Sequence, residues 1–403
     1  MRYLITTMPA TSHLLPLVPF AHAALAAGHE VRVVCAGAAL PTAVAAGLPA
    51  VAVDDGASAR PYEEIVRRIG ETDITKELPP QQLWAEFAAA FGQTGIRMVD
   101  GLVRAIREWD ADAVVYTPMA VAGLVAARAT GRPAILHGIG TRWPTFGYAL
   151  AHLRDIATEL GVTDCAEADI EIDLSPPSLE AIHHASTPIP AETYADLIEP
   201  MRYIPYNGGA QLPDWVRAQP PRRRVLATLG SMSASYGDGS LVRKIIAGAA
   251  ELNVELVVTL DDPARFGPLP EFVRPVAWMP LRAVLGSCAA VVHHGGAGSM
   301  YAALDAGVPQ VAIPDRNTDG DTNARIAAAR GLALRFESDR IDADVIATAL
   351  GTLLDSDSYR TAATEVAAEM HAMPTPSVVV DRITAAIGAG LPRSAPRTEP
   401  RKA

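Results

Sequence analysis

Residues 291–299 read VVHHGGAGS: an apolar run, two histidines, and a turn with three glycines. The pattern predicts a buried strand ending at the histidines and a helix beginning near Ser299. Backbone N–H groups and the positive end of the helix dipole converge at such a junction, which favours an anion. A tight turn with Ser299 as helix cap accounts for the pattern equally well. A His293–His294 metal pair is less favoured, because adjacent residues at a strand end point in opposite directions.

The same alternation of short apolar runs and helix-like segments extends to both sides of this stretch. In the first half, strands are predicted at 3–7, 30–35, 50–53, 113–116 and 133–137. In the second half, they are predicted at 225–228, 254–260, 273–277, 290–293, 310–313 and 332–336. Strands that alternate with helices are typical of parallel sheets with right-handed crossovers. The predicted fold is α/β, with two Rossmann-like parallel-sheet domains facing each other across a ligand cleft.

Composition changes along the chain give the domain boundaries. We predict an N-terminal domain at 1–205, a Pro- and Gly-bearing linker at 206–220 and a C-terminal domain at 221–376. A helix at 377–387 is expected to pack back on the N-terminal domain, followed by a disordered Pro/Arg-rich tail at 388–403. Residues 56–91 are less regular and richer in charge, so loops and short helices are expected there.

Overall composition excludes several classes of function. The 403 residues suggest two to three domains, and the formal net charge of −11 argues against nonspecific binding to nucleic acid. The chain has no apolar run of about 20 residues, so no membrane span is expected. Its three cysteines lie far apart without zinc spacing, which fits a reducing cytoplasm. The first predicted βα turn, at 8–13, contains no glycine, which argues against a dinucleotide site there.

Further motifs along the chain make it resemble a known family. They are, in order, TSHLLP at 11–16, GHEV at 28–31, IDLSPPSL at 172–179, RYIPYNG at 202–208, WMP at 278–280 and ALDAGVPQ at 303–310. Together with VVHHGGAGS, they resemble family 1 glycosyltransferases of the GT-B fold. The two stretches at 172–179 and 202–208 are similar to actinobacterial enzymes that glycosylate macrolides, enediynes and related antibiotics. The resemblance runs from about residue 1 to residue 387.

The resemblance implies a nucleotide-sugar donor site in the C-terminal domain. His293 and the backbone of the glycine turn would hold the diphosphate, Trp278 would stack on the base, and Asp319 would bind sugar hydroxyls. The donor-binding residues implied in this way are Gly230, Ser231, Trp278, Met279, His293, Gly295, Ala297, Gly298, Ser299 and Asp319.

The resemblance also implies an acceptor site in the N-terminal domain, with His13 as the catalytic general base and Ser12, Thr117 and His137 as acceptor-binding residues. Thr117 stands where many relatives have an acidic residue that orients the catalytic His. Two further departures are Gly320 and Leu281, each in place of a Gln. The missing acid suggests either another orienting group or an acidic acceptor such as a phenol.

The function implied is an inverting, metal-independent transfer of a deoxysugar from a nucleoside diphosphate, most simply dTDP, to a hydrophobic polyketide-like or aromatic aglycone. The nucleotide sugar is a co-substrate, and no cofactor is expected. No DxD-like metal site is visible, so protein dipoles would neutralise the leaving group. The alternatives are a nucleotide-sugar epimerase and a non-catalytic activator of a sister transferase on the same scaffold. A homodimer is left open, and the chain is expected in the cytoplasm.

Overall fold

A computed structural model describes residues 1–72, 74–165, 167–187, 195–230, 239–314 and 318–391. The N-terminal half forms a seven-stranded sheet in the order β3-β2-β1-β4-β5-β6-β7 with parallel neighbours. Its strands are β1 Arg2–Thr6, β2 Glu30–Cys35, β3 Ala50–Ala52, β4 Ala113–Tyr116, β5 Ala134–His137, β6 Ile170–Asp173 and β7 Leu197–Pro200.

The C-terminal half forms a second parallel sheet, of six strands in the order β10-β9-β8-β11-β12-β13. Its strands are β8 Arg223–Thr228, β9 Val254–Thr259, β10 Val273–Val276, β11 Cys288–His293, β12 Gln310–Ala312 and β13 Ala333–Arg335. The central strands β4 and β5 are buried at every position, as expected for parallel strands covered by helices on both faces. The predicted α/β fold with two Rossmann-like domains is confirmed.

Helices cover both sheets. In the first half, the α-helices are Thr11–Leu14, Val18–Ala26, Ala39–Ala45, Arg60–Thr72, Ile74–Glu77, Pro80–Trp109, Ala122–Ala129, Gly147–Leu150, Arg154–Glu159 and Pro177–Ser186. In the second half, they are Asp214–Arg217, Ser240–Ala250, Leu281–Leu285, Ala297–Asp305, Asp319–Ala329, Ala343–Asp355, Asp357–Ala372 and Pro376–Gly388. Short 3₁₀ turns occupy Leu15–Leu17, Ala57–Ala59, Ala151–Leu153, Pro263–Phe266 and Ser338–Arg340.

Two features of the N-terminal domain differ from the sequence expectation. Residues 56–91 were expected to form loops and short helices, but they contain the helix Arg60–Thr72 and the first part of the 30-residue helix Pro80–Trp109. Pro80 occupies the first turn, where its missing N–H removes no helical bond. Strands β6 and β7 had no counterpart among the predicted strands. Both are four residues long and carry charged residues, so their apolar signal is weak.

The two domains share a continuous apolar core on one side of the cleft. Tyr203, Met300 and Tyr301 belong to the same buried cluster as Tyr3 and Ile5 of β1. The chain returns to the N-terminal domain through the helix Pro376–Gly388, which packs against Val18–Ala26. At that contact the hydroxyl groups of Tyr3 and Thr384 lie 2.8 Å apart. Residues 392–403 of the expected disordered tail lie outside the described residues.

No helix in the described ranges is long and apolar enough to span a membrane.

Candidate active site

A cavity of about 540 Å³ lies between the two domains. The short helix Thr11–Leu14 after β1 and the loops after β8, β9, β10 and β11 all contribute to its wall. The cavity therefore lies at the carboxyl ends of both parallel sheets, where ligands bind in open α/β folds.

The C-terminal wall contains the open N-terminus of the helix Ala297–Asp305. Gly296 is the residue before this helix, and no side chain caps its first N–H groups. Gly298 and Ser299, in the first turn, line the cavity. Free N–H groups and the positive end of the helix dipole thus face the cavity, which is an arrangement that binds anions.

His294 is the histidine that lines this anion site. Its ring lies between two glycines, because a Cβ atom would come within 2.5 Å of the ring at Gly230 and within 2.4 Å at Gly296. Burial lowers the pKa of His294, and the nearby carboxylate of Asp319 opposes this shift. Partial desolvation raises the pKa of Asp319, which also lines the cavity. His294 is therefore a neutral ring at neutral pH that lines the site, with a buried Nδ1 that has no hydrogen-bond partner.

His293, which the resemblance implies as the diphosphate ligand, is not among the cavity-lining residues. It is buried, with Nε2 2.7 Å from Oε1 of Gln310 on the neighbouring strand β12. Its Nδ1 accepts a hydrogen bond of 3.0 Å from the N–H of Gly295. Gly295 itself is buried below the cavity surface. His294 therefore lines the site, whereas His293 is buried beneath the cavity surface.

Trp278 presents its ring to the cavity and is fixed by the linker. Its indole is 49% exposed, and its Nε1 donates a 2.6 Å hydrogen bond to the carbonyl oxygen of Asn207. The side chain of Asn207 donates to the carbonyl oxygen of Met279 and accepts from the N–H of Leu281. Met279 also lines the cavity. An exposed, pre-oriented indole is suited to stacking on a planar base.

His13 lines the opposite wall, on the short helix Thr11–Leu14 that follows β1. Its ring packs edge-on against Tyr62 at 6.2 Å between ring centroids. The Nδ1 atom is buried and has no hydrogen-bond partner. Burial lowers the pKa of His13 to about 4, so the ring is neutral at neutral pH. Ser12, beside it, also lines the cavity and is exposed.

Thr117 and His137, the other two residues implied for acceptor binding, are fully buried and do not line the cavity. The hydroxyl of Thr117 lies 3.3 Å from that of Thr7, which in turn donates to the carbonyl oxygen of His13. Thr117 is therefore connected to the backbone of His13 through Thr7. His137 donates through Nδ1 to the carbonyl oxygen of Gly138, and its ring packs against Phe20.

Aromatic side chains line the cavity wall beyond His13. Trp84, Phe87 and Phe91 lie on the helix Pro80–Trp109, and their neighbouring rings are 6.2 and 5.8 Å apart. Tyr62 stacks on Phe91 with ring centroids 6.1 Å apart. The aromatic spacing of i, i+3 and i+7 is helical and is the sequence signal that could have located this wall. The wall is apolar and suits a flat, hydrophobic ligand.

Most residues implied by the resemblance thus meet in one cavity. Those that line it are Ser12, His13, Gly230, Trp278, Met279, Ala297, Gly298, Ser299 and Asp319. Those in the described ranges that do not are Thr117, His137, His293 and Gly295. Ser231 lies outside the described residues. His294 and Asn207 are among the polar cavity-lining residues that the sequence analysis did not predict; the others include Thr228, Thr259, Asp261 and Thr318.

Comparison with known families identifies the chain. Residues 243–386 match the family described as "Erythromycin biosynthesis protein CIII-like, C-terminal domain", and residues 22–230 match the corresponding N-terminal domain. The chain belongs to this family. An L-demethylnoviosyl transferase of Streptomyces niveus is 34% identical, over 96% of this chain and 98% of that protein. An aklavinone 7-beta-L-rhodosaminyltransferase of Streptomyces galilaeus is 33% identical, over 99% of both chains.

Solved structures agree with this assignment. The glycosyltransferase SnogD of Streptomyces nogalater superimposes with a TM-score of 0.80 at 34% identity, covering 96% of this chain and 99% of SnogD. VinC in complex with DTDP gives 0.78 at 28% identity, covering 97% and 100% of the chains. The spinosyn rhamnosyltransferase SpnG with spinosyn aglycone gives 0.80 at 26% identity, covering 95% and 100%. The protein is therefore a GT-B glycosyltransferase of the antibiotic-biosynthesis type.

Proposed function

We propose that this protein transfers a deoxysugar from a dTDP-sugar to a hydroxyl group of a flat, hydrophobic aglycone, with inversion at the anomeric carbon. The observation that carries the proposal is one continuous cavity with two chemically different walls. One wall combines an open helix N-terminus with His294, and the other combines aromatic rings with His13. A sugar bound between the two walls would have its diphosphate leaving group at one wall and the acceptor hydroxyl at the other.

The donor is a nucleoside diphosphate sugar because the C-terminal wall provides the contacts that such a molecule needs. The N–H groups at Gly298 and Ser299, together with His294, would bind the diphosphate. Trp278 would stack on the base, in an orientation fixed by Asn207. Asp319 would accept hydrogen bonds from sugar hydroxyls. The dTDP complex of the related VinC supports thymidine as the nucleoside.

The acceptor is an aromatic or polyketide-like aglycone without charge. Among the described residues that line the N-terminal wall, none is Asp, Glu, Lys or Arg. A charged acceptor would lose its hydration there without gaining an ionic partner. Tyr62, Trp84, Phe87 and Phe91 instead provide ring faces and edges. The related SpnG, solved in complex with spinosyn aglycone, supports a natural-product aglycone as the acceptor.

The reaction is one in-line displacement. The acceptor oxygen forms a bond to the anomeric carbon while the bond from that carbon to the diphosphate oxygen breaks. The acceptor proton passes to His13, and the electron pair leaves with dTDP, whose charge is stabilised by His294 and the helix N-terminus. No metal or cofactor takes part in this proposal. This part of the proposal is supported by the uncapped N-terminus of the helix Ala297–Asp305, which faces the cavity where the leaving group would bind.

The environment of His13 favours an acidic hydroxyl as acceptor. Burial lowers the pKa of His13 to about 4, and its Nδ1 has no carboxylate to stabilise the imidazolium that proton transfer creates. A phenol has a pKa of about 10, whereas an alkyl alcohol resembles water, at about 15.7. Proton transfer from a phenol to His13 is therefore about 6 pKa units less unfavourable. We propose a phenolic or similarly acidic hydroxyl, in a cytoplasmic pathway consistent with three free cysteines.

Mass spectrometry of the purified protein with dTDP-deoxysugars and phenolic aromatic aglycones tests the proposal. The expected products are a glycosylated aglycone and dTDP in equal amounts, with the opposite anomeric configuration by NMR. Matched reactions with an alkyl-alcohol acceptor of similar size should be slower. Release of free sugar at the same rate with and without aglycone would contradict transfer, and failure to bind dTDP would contradict the proposed donor.

A further inference from the structure

We propose that Thr141, in the N-terminal domain, positions the glycine turn of the donor site by acting through Asn323. Neither residue is among those that line the cavity. The inference rests on the proposed function, because it takes that turn as the binding site of the donor diphosphate. It assigns to Thr141 and Asn323 the role of holding that turn in place.

The backbone of Gly295 is held from both sides. Its N–H donates to Nδ1 of His293 at 3.0 Å, and its carbonyl oxygen accepts from Nδ2 of Asn323 at 3.0 Å. Because Nδ1 of His293 accepts, the ring proton is on Nε2, which donates to Oε1 of Gln310 at 2.7 Å. Gly295 precedes Gly296 and the open helix N-terminus. These hydrogen bonds therefore fix the position of the helix N-terminus relative to the end of β11.

Asn323 connects this turn to the other domain. A carbonyl oxygen can only accept, so the amide nitrogen of Asn323 faces Gly295 and its Oδ1 faces away. Oδ1 accepts a 2.7 Å hydrogen bond from the hydroxyl of Thr141, which lies on the loop after β5. Thr141 and Asn323 are both buried, at 5% and 2% exposure. Water is therefore a poor substitute for either partner, which makes loss of the bond costly.

The loop that carries Thr141 is itself firmly anchored. The N–H of the next residue, Arg142, donates to Oγ of Ser175 at 2.8 Å. The buried guanidinium of Arg142 binds both carboxylate oxygens of Glu171 on β6, at 2.6 and 2.7 Å. On the other side, a Cβ atom at Gly140 would lie only 2.6 Å from Cβ of Ala297. The N-terminal domain thus packs an anchored loop against Ala297, the first residue of the helix Ala297–Asp305.

The consequence is that the acceptor domain sets the geometry of the donor site. The affinity for the donor should depend on the hydroxyl of Thr141, although Thr141 belongs to the N-terminal domain and does not line the cavity. A net hydrogen-bond contribution of the usual size corresponds to a change of about 3- to 10-fold in the dissociation constant.

Calorimetric titration of dTDP into the wild type, four variants of Thr141 and Asn323, and one control variant tests this inference. Thr141→Val should weaken dTDP binding about 3- to 10-fold, and Thr141→Ser, which keeps the hydroxyl, should restore it. Asn323→Asp keeps an acceptor for Thr141 but loses the N–H donated to Gly295, so it should also weaken binding. The double variant T141V/N323D should bind no more weakly than N323D, because both changes interrupt the same connection.

Ser178→Ala is the matched control for general loosening between the domains. Ser178 Oγ donates a 2.7 Å hydrogen bond to Glu369 across the same interface, and it lies 3.4 Å from Nε of Arg330 at the opposite end of the helix that carries Asn323. S178A should leave dTDP affinity unchanged. Equal affinities for wild type and T141V, or an equal loss in S178A, would overturn the inference. A wild type that does not bind dTDP at all would instead refute the proposed donor.

Discussion

Replacing His294 by Ala should weaken binding of dTDP by about one to two orders of magnitude. The ring lines the anion site beside the open N-terminus of the helix Ala297–Asp305, and it is neutral at neutral pH because burial lowers its pKa. A hydrogen bond to a charged group contributes about 1.5–3 kcal/mol, which corresponds to a factor of about 10 to 150. The absence of side chains at Gly230 and Gly296 leaves the space that the ring occupies.

Calorimetry with two ligands separates the phosphate contact from a general defect. H294A should lose affinity for dTDP but keep its affinity for thymidine, which has no phosphate. Trp278→Ala should weaken both ligands, because base stacking contributes about 1–3 kcal/mol. His22→Ala, at an exposed histidine that is not among the cavity-lining residues, is the control and should bind both ligands normally. A folded H294A that binds dTDP as the wild type does would refute the assignment of His294 to the diphosphate.

Three further changes have defined expected outcomes. His13→Ala should lower kcat about 10²–10⁴-fold while leaving dTDP affinity intact, and the loss should be smaller with phenol acceptors than with alcohols. Steady-state kinetics on matched phenol and alcohol acceptors measures this difference. A near-normal kcat on an alcohol would exclude His13 as the general base. EDTA should not reduce turnover, since no cluster of three metal-binding side chains occurs among the described residues; loss that added Mg²⁺ reverses would contradict a metal-free mechanism. Burial lowers the pKa of His137 to about 4, so the folded state binds fewer protons than the unfolded state between pH 4 and 6.5, and stability falls as pH falls through that range. Protonation of His137 contributes up to about 3 kcal/mol to this loss of folding free energy. In thermal melts from pH 7 to pH 4, the Tm of His137→Phe should therefore decrease less than the Tm of the wild type.

The sheets could be predicted from the sequence because parallel strands buried on both faces are continuous apolar runs. Strands β1 and β11 are examples, and each brings a functional loop to the cavity. Strands β6 and β7 could not be found in this way, since IEID and LIEP mix charged and apolar residues within four positions. Their charges have structural partners: Glu171 of β6 neutralises the buried Arg142. Such a pair is visible only once the loop is folded against the strand.

The candidate site could be predicted as a region but not atom by atom. Alternation along a strand indicates that His293 and His294 point in opposite directions, yet it does not say which of them faces the cleft. That depends on Gln310, which lies on the neighbouring strand and accepts from His293. Similarly, the resemblance implied that Thr117 binds the acceptor, but its side chain is buried and its hydroxyl lies 3.3 Å from that of Thr7. Both differences arise from contacts between residues distant in sequence.

The return of the chain through Pro376–Gly388 to the N-terminal domain has a consequence for engineering new glycosides. A chimera made by one crossover in the linker would pair the helix Val18–Ala26 of one parent with the C-terminal helix of another. It would also take Tyr3 and Thr384, whose hydroxyl groups lie 2.8 Å apart, from different parents. Exchange of acceptor specificity between relatives therefore calls for two crossovers, with residues 376–391 transferred together with the N-terminal domain.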